Sequence, residues 1–191
     1  MRALFLLLVV AFGFGCASRD ARSLEGLEAL RLYDAAGKEH ALSQLSGEVA
    51  TVYFILAPDC PMCRNYAGYL ASFGSGDQAV HGVGIFPSAF IDADSVQAFA
   101  REFDITMPLL MDPDCVLSNA LNAQVTPESF LISASGELRY HGAIDNWAVR
   151  AGRKKVKATE FYLEDEIARA MRGWAPERTT VEAVGCVLEC D

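Results

Sequence analysis

The residues best placed to do chemistry are Asp59-Cys60-Pro61-Met62-Cys63. Two thiols at this spacing can form, break or exchange a disulfide if Cys60 opens a helix and Cys63 follows one turn later. A cysteine at a helix N-terminus faces unpaired backbone N–H groups and the positive end of the helix dipole. Both stabilise thiolate, so the Cys60 pKa is expected well below about 8.5. Pro61 suits the first helical position because the N–H it lacks would have no partner there. The rival chemistry is half of a metal site. A structural zinc site usually needs four ligands, and the histidines, His40, His81 and His141, form no second ligand pair. Thiol–disulfide exchange is the stronger reading.

The flanking sequence supplies the elements that would position such a pair. Val49 to Leu56 (VATVYFIL) is an unbroken β-rich apolar run between Gly47 and Pro58. It predicts a central strand buried on both faces. A helix is expected from Pro61 to about Phe73, stopped by Gly74-Ser75-Gly76. Val80 to Phe86 predicts a second buried strand. Asp92 or Asp94 can cap a helix whose inner stripe is Val96, Phe99, Ala100 and Phe103. Shorter pieces are expected at Leu30 to Tyr33 (strand), Ala41 to Leu45 (amphipathic), Pro108 to Met111 (extended) and Val116 to Leu121 (helix). Ser129 to Ile132 and Leu138 to His141 read as a β-hairpin. A last helix runs from about Glu160 to Arg172, and the tail holds a candidate strand from Val181 to Leu188. Alternating strands and helices in the first half predict parallel strands with crossover helices.

The whole chain has 191 residues, 52% of them hydrophobic, and a net charge of −9. That favours one domain with a real core. The acidic balance argues against a nucleic-acid partner, which would need a basic face. Met1-Arg2 followed by the apolar run Ala3 to Phe14 fits an export signal and is too short to span a bilayer. Gly13-Phe14-Gly15-Cys16 resembles a bacterial lipoprotein cleavage box, which implies lipidation of Cys16; Gly13 stands where that box usually has Leu. Residues 1–15 are thus expected as a signal peptide and 16–27 as a tether, followed by one domain over 28–191. The stretch Ala17 to Ser23 would reach roughly 25 Å when extended. Export to the periplasmic face of a bacterial membrane would let disulfides form and persist.

Strand–Cys-Pro-Met-Cys–helix, with Val125-Thr126-Pro127-Glu128 before a hairpin, resembles the thioredoxin superfamily. The resemblance is closest to exported redoxin-domain proteins related to alkyl hydroperoxide reductase and thiol-specific antioxidant. It rests also on Leu109-Leu110-Met111-Asp112-Pro113-Asp114, Thr126-Pro127-Glu128-Ser129-Phe130, Tyr140-His141-Gly142-Ala143-Ile144-Asp145-Asn146 and Ala183-Val184-Gly185-Cys186. It implies a cis proline at Pro127 beside the cysteines, with Thr126 offering backbone groups to substrate. It also implies an inserted element, Val116 to Ala123, before that proline.

Three family features are replaced. The peroxidase signature Pro-x-x-x-Thr-x-x-Cys has Tyr53 and Ala57 in place of Pro and Thr. Phe54 stands where many thioredoxins bury an Asp, and Tyr66 where some exported reductases carry a Glu. The nearest acid is Asp59, whose charge would oppose thiolate formation.

The remaining cysteines leave alternatives open. Cys186 matches a Gly-Cys near the end of related redoxins, which implies a resolving or partner thiol; the alternative is a buried small residue. Cys190 invites pairing with Cys186; in a strand their Cα atoms would lie about 13 Å apart, beyond the limit of about 7 Å, whereas a turn or helix there would make the distance acceptable. Cys115 reads as structural, the alternative being partnership with a tail cysteine. Arg150, Arg153, Lys154, Lys155 and Lys157 read as a solvated loop, or else as a dock for an acidic partner or lipid headgroups.

The expectation is therefore an α/β protein with a thioredoxin-like fold: a central mixed β-sheet flanked by helices, a redoxin-type insertion and a C-terminal tail. The expected activity is thiol–disulfide oxidoreduction by Cys60 and Cys63, with Thr126 and Pro127 binding substrate, no cofactor and no metal. Expected partners are a disulfide-containing protein or small thiol, a redox partner protein, and a membrane through the lipid anchor. The alternatives are a thiol peroxidase and a copper-binding accessory protein using Cys60, Cys63 and His141.

Overall fold

The computed structural model describes residues 26–75 and 79–190. The expected export signal, Cys16 and the tether up to residue 25 lie outside the described residues. The strands are β1 (Arg31–Asp34), β2 (Glu39–Ala41), β3 (Ala50–Ile55), β4 (Val80–Pro87), β5 (Leu109–Asp112), β6 (Val125–Thr126), β7 (Glu128–Ser133), β8 (Leu138–Gly142), β9 (Ala148–Arg150), β10 (Arg153–Lys154), β11 (Thr180–Val181) and β12 (Cys186–Val187). The helices are α1 (Pro61–Ser72), α2 (Ala93–Glu102), α3 (Val116–Leu121) and α4 (Tyr162–Met171).

Eight strands form one mixed sheet in the order β11-β8-β7-β3-β4-β5-β1-β2. β3, β4 and β5 run parallel, as the alternating first half of the sequence requires. The β7–β8 hairpin adds antiparallel strands beside β3. Every residue of β3 is buried. Val52, Phe54 and Leu56 face the layer made by α1, α2 and α4. Tyr53 and Ile55 face the opposite layer, which contains Leu117 and Leu121 of α3. This two-sided burial explains why β3 reads as a continuous apolar run rather than an alternating one.

Helix boundaries follow local chemistry. The Asp92 carboxylate accepts the Ser95 N–H at 2.7 Å and caps α2. α1 begins at Pro61 and tightens into a 3₁₀ turn over Phe73–Ser75. The last helix is shorter than expected, starting at Tyr162. The Asn146 side chain holds Thr159 and Glu160 instead, through its Oδ1. The basic run lies largely on and after a small exposed hairpin, β9–β10. The single tail strand expected from Val181 to Leu188 is corrected to two. β11 extends the main sheet parallel to β8, and β12 leaves it to pair antiparallel with β6.

Candidate active site

Cys60 is the N-cap residue of α1, in extended conformation, and is almost fully buried. Its N–H donates to the Ala57 carbonyl at 3.2 Å, and its own carbonyl accepts the Arg64 N–H at 3.2 Å. Sequence and structure therefore agree on the placement of this thiol at the positive end of α1. The Cys60 sulfur lies 3.2 Å from the Thr126 carbonyl oxygen.

Cys63 lies one turn on, wholly buried. The Ala57 N–H donates to its sulfur at 3.4 Å. Burial nevertheless pushes the Cys63 thiol up to about 11; the Ala57 bond and the nearby Thr126 hydroxyl favour thiolate, while the Asp59 charge opposes it. Tyr66, at the place where some relatives carry a carboxylate, donates its hydroxyl to Asp145 at 2.6 Å. Its burial, and then that bond, raise the phenol above its usual range, so it holds its proton.

The Thr126–Pro127 peptide bond is cis, as the resemblance implied. Two features brace it. Glu128, buried, accepts the Gln124 N–H at 2.9 Å and the Val125 N–H at 3.5 Å. Ser129 donates to the Gly142 carbonyl at 2.9 Å. Neither role was assigned from sequence; the available signal was an acid opening an otherwise apolar strand.

The cysteine pairing differs from the simplest expectation. Cys60 is joined to Cys186, with Cα atoms 6.2 Å apart. Cys63 is the free thiol among the described residues. Cys115 is joined to Cys190, Cα to Cα 5.8 Å, so the pairing of Cys190 with Cys186 is excluded. Pairing along β12 places Cys186 opposite Thr126, and this alignment brings its sulfur to Cys60. Gly185 permits the approach. A Cβ there would sit 2.2 Å from the Thr126 carbonyl oxygen. Cys115 heads α3 with a left-handed backbone, φ 51°. Its N–H donates to the Asp112 carbonyl, which also accepts from Ser88, itself at φ 94°. The Asp112 carboxylate takes the Ser118 N–H and hydroxyl at 2.9 and 2.8 Å.

A cavity of about 440 Å³ opens over the Cys60–Cys186 bridge. Asp59, Phe90, Thr126 and Val187 contribute to its walls, and Phe90 is 83% exposed. The copper set is not assembled. His141 stacks on Phe130 and points Nδ1 at Glu128, 3.6 Å away. Among the described residues, no group of three or more His, Cys, Asp or Glu is arranged to hold a metal ion.

No curated protein matches the chain. A hypothetical protein from Sinorhizobium meliloti is 26% identical, with a TM-score of 0.73 over 83% of this chain and 88% of that one. An uncharacterized conserved protein from Geobacillus kaustophilus is 17% identical, with a TM-score of 0.70 over 84% of this chain and 87% of that one. A secreted Mycobacterium tuberculosis disulfide oxidoreductase homologous to E. coli DsbE is 21% identical, with a TM-score of 0.54 over 77% and 96%. The fold is thioredoxin-like. The AhpC/TSA family matches residues 24–141, and with the redoxin arrangement of strand, cysteine-headed helix and cis proline in place, the chain belongs to that family.

Proposed function

We propose that the protein is a thiol–disulfide oxidoreductase in which Cys60 exchanges with substrate and Cys63 resolves the product. The observation that carries this reading is a bridged cysteine beside the cis-proline strand, with a free buried cysteine one helical turn on. Cys60 is joined to Cys186 beside Thr126 at the N-terminus of α1, and the Cys63 sulfur accepts the Ala57 N–H just before it. In the forward cycle, a dithiol donor first reduces Cys60–Cys186, giving two thiols and the donor's disulfide; Cys60 thiolate then attacks a substrate disulfide, forms a mixed disulfide and expels one substrate thiolate. The Cys63 thiol then loses its proton and attacks the Cys60 sulfur. The Cys60–Cys63 bridge forms, the second substrate sulfur leaves and takes up a proton, and the substrate is reduced by two electrons. The reverse sequence oxidises a substrate dithiol. Thr126 and Pro127 shape the docking edge, where an extended substrate adds as a strand in place of β12.

Insulin reduction driven by dithiothreitol tests the assignment. Cys60→Ser is expected to lose all rate above the uncatalysed reaction. Cys63→Ser is expected to accumulate a Cys60-linked mixed disulfide, visible by mass spectrometry. Full activity in Cys60→Ser would end the proposal.

A thiol peroxidase is the second reading, favoured by the Cys60–Cys186 bridge. In it Cys60 would be oxidised by peroxide to sulfenic acid, and Cys186 would condense with it, releasing water. Ala57 and Tyr53 lack the groups that activate peroxide in that family, so stopped-flow peroxide consumption should run no faster than with free cysteine. Export and lipidation at Cys16 belong to the same proposal. They place the bridges in an oxidising compartment, and a mass increase on Cys16 in membrane fractions tests them.

A further inference from the structure

The C-terminal segment lies where a substrate strand would lie. β12 pairs antiparallel with β6, Cys186 opposite Thr126 and Val187 opposite Val125. The Leu188 N–H extends the pairing to the Gln124 carbonyl at 3.0 Å. Gly185 packs so closely on the Thr126 backbone that no side chain fits. The segment is pinned at both ends, by β11 in the main sheet and by Cys190 on Cys115.

We propose that residues 185–190 are a built-in occupant of the substrate groove, held on Cys60 as an internal mixed disulfide and latched by Cys115–Cys190. External thiols then compete for Cys60 only after the latch opens. This rests on the oxidoreductase reading above.

The chemistry balances without an added oxidant. A dithiol donor reduces Cys115–Cys190, giving two thiols and the donor's disulfide. Cys63 then attacks the Cys60 sulfur, forming Cys60–Cys63 and releasing Cys186, which takes the proton. While the latch is closed, the released Cys186 stays in place and attacks again. With the latch open, the tail is a flexible tether of millimolar effective concentration, and a competitor at similar concentration can displace it. The groove thus selects extended segments with glycine before the reactive cysteine, because the tail itself needs that glycine.

The test uses oxidised full-length Cys63→Ser protein, in which a Cys60 mixed disulfide is not resolved, and two synthetic peptide thiols, acetyl-Val-Gly-Cys-Val-Leu-amide and its Ala-Cys counterpart. Each peptide thiolate attacks Cys60 and displaces Cys186; capture is read by intact mass after acid quenching. With Cys190→Ser added, that protein should capture the Gly-Cys peptide about tenfold more than without it. It should capture the Ala-Cys peptide several-fold less than the Gly-Cys peptide. Equal capture with and without Cys190→Ser overturns the latch. Equal capture of the two peptides overturns occupancy of the groove, and this second comparison is made within one protein. Insulin reduction by the native chain and by Cys190→Ser, both retaining Cys63, under dithiothreitol, which opens the latch in both, separates the two proposals. If both reduce insulin but capture is equal, only the latch fails. If neither reduces insulin, the oxidoreductase reading fails first.

Discussion

At the residue scale, the two cysteines of the proposed site differ because their surroundings differ. Cys60 heads a helix, and Cys63 is sealed in the core with its thiol pushed up to about 11. Resolution by Cys63 should therefore accelerate about tenfold for each pH unit between pH 6 and 9, because the thiolate fraction grows by that factor below the pKa. Release of a peptide from its Cys60 mixed disulfide measures this directly; a plateau near pH 8 would contradict it. Stability has the matching sign. The folded protein holds the Cys63 proton more tightly than the unfolded chain, so this contribution is complete below about 9 and is lost as pH rises towards 11. Urea unfolding of the oxidised protein should show that alkaline loss, and Cys63→Ala should reduce it. The Cys60 placement was legible in sequence, since Pro61 and the preceding β run mark a helix start. The bracing of β6 by Glu128 was not, because a carboxylate accepting two backbone N–H groups leaves no spacing pattern.

At the scale of elements, β3 and α1 carry the site, and their contact is aromatic. Phe54 is fully buried and meets Tyr69 and Phe73 edge to face, with centroids 6.3 and 5.0 Å away. Phe54→Ala should cost about 3–5 kcal/mol, from lost transfer energy plus the cavity left behind. Equilibrium urea unfolding checks this, and a loss under about 1 kcal/mol would mean that the layer collapses to fill the space. The main strands and helices were readable because each is long enough to show a period or an unbroken run. The two-residue strands β6, β11 and β12 were not. They exist through tertiary pairing, and a pair of residues has no periodicity to read. For that reason the sequence suggested one tail strand from Val181 to Leu188. The segment instead serves two different partners.

At the scale of the molecule, the thioredoxin-like sheet places the helix-borne thiols, the cis-proline strand and the chain's own tail together. Topology was largely legible, because alternating elements dictate parallel strands and the hairpin dictates antiparallel ones. The disulfide pairing was not. Five cysteines outside Cys16 offer many pairings, and only the fold brings Cys115 beside Cys190 and Cys60 beside Cys186. His141 illustrates the converse: its residue type suggested a ligand, but packing assigns it to Phe130 and Glu128. Non-reducing peptide mapping of the oxidised protein, after trapping free thiols in acid, tests the account most directly. Cys60–Cys186 and Cys115–Cys190 bridges are expected, with Cys63 recovered as the trapped thiol. A map joining Cys186 to any residue other than Cys60, or leaving it free beside a Cys60–Cys63 bridge, would contradict it.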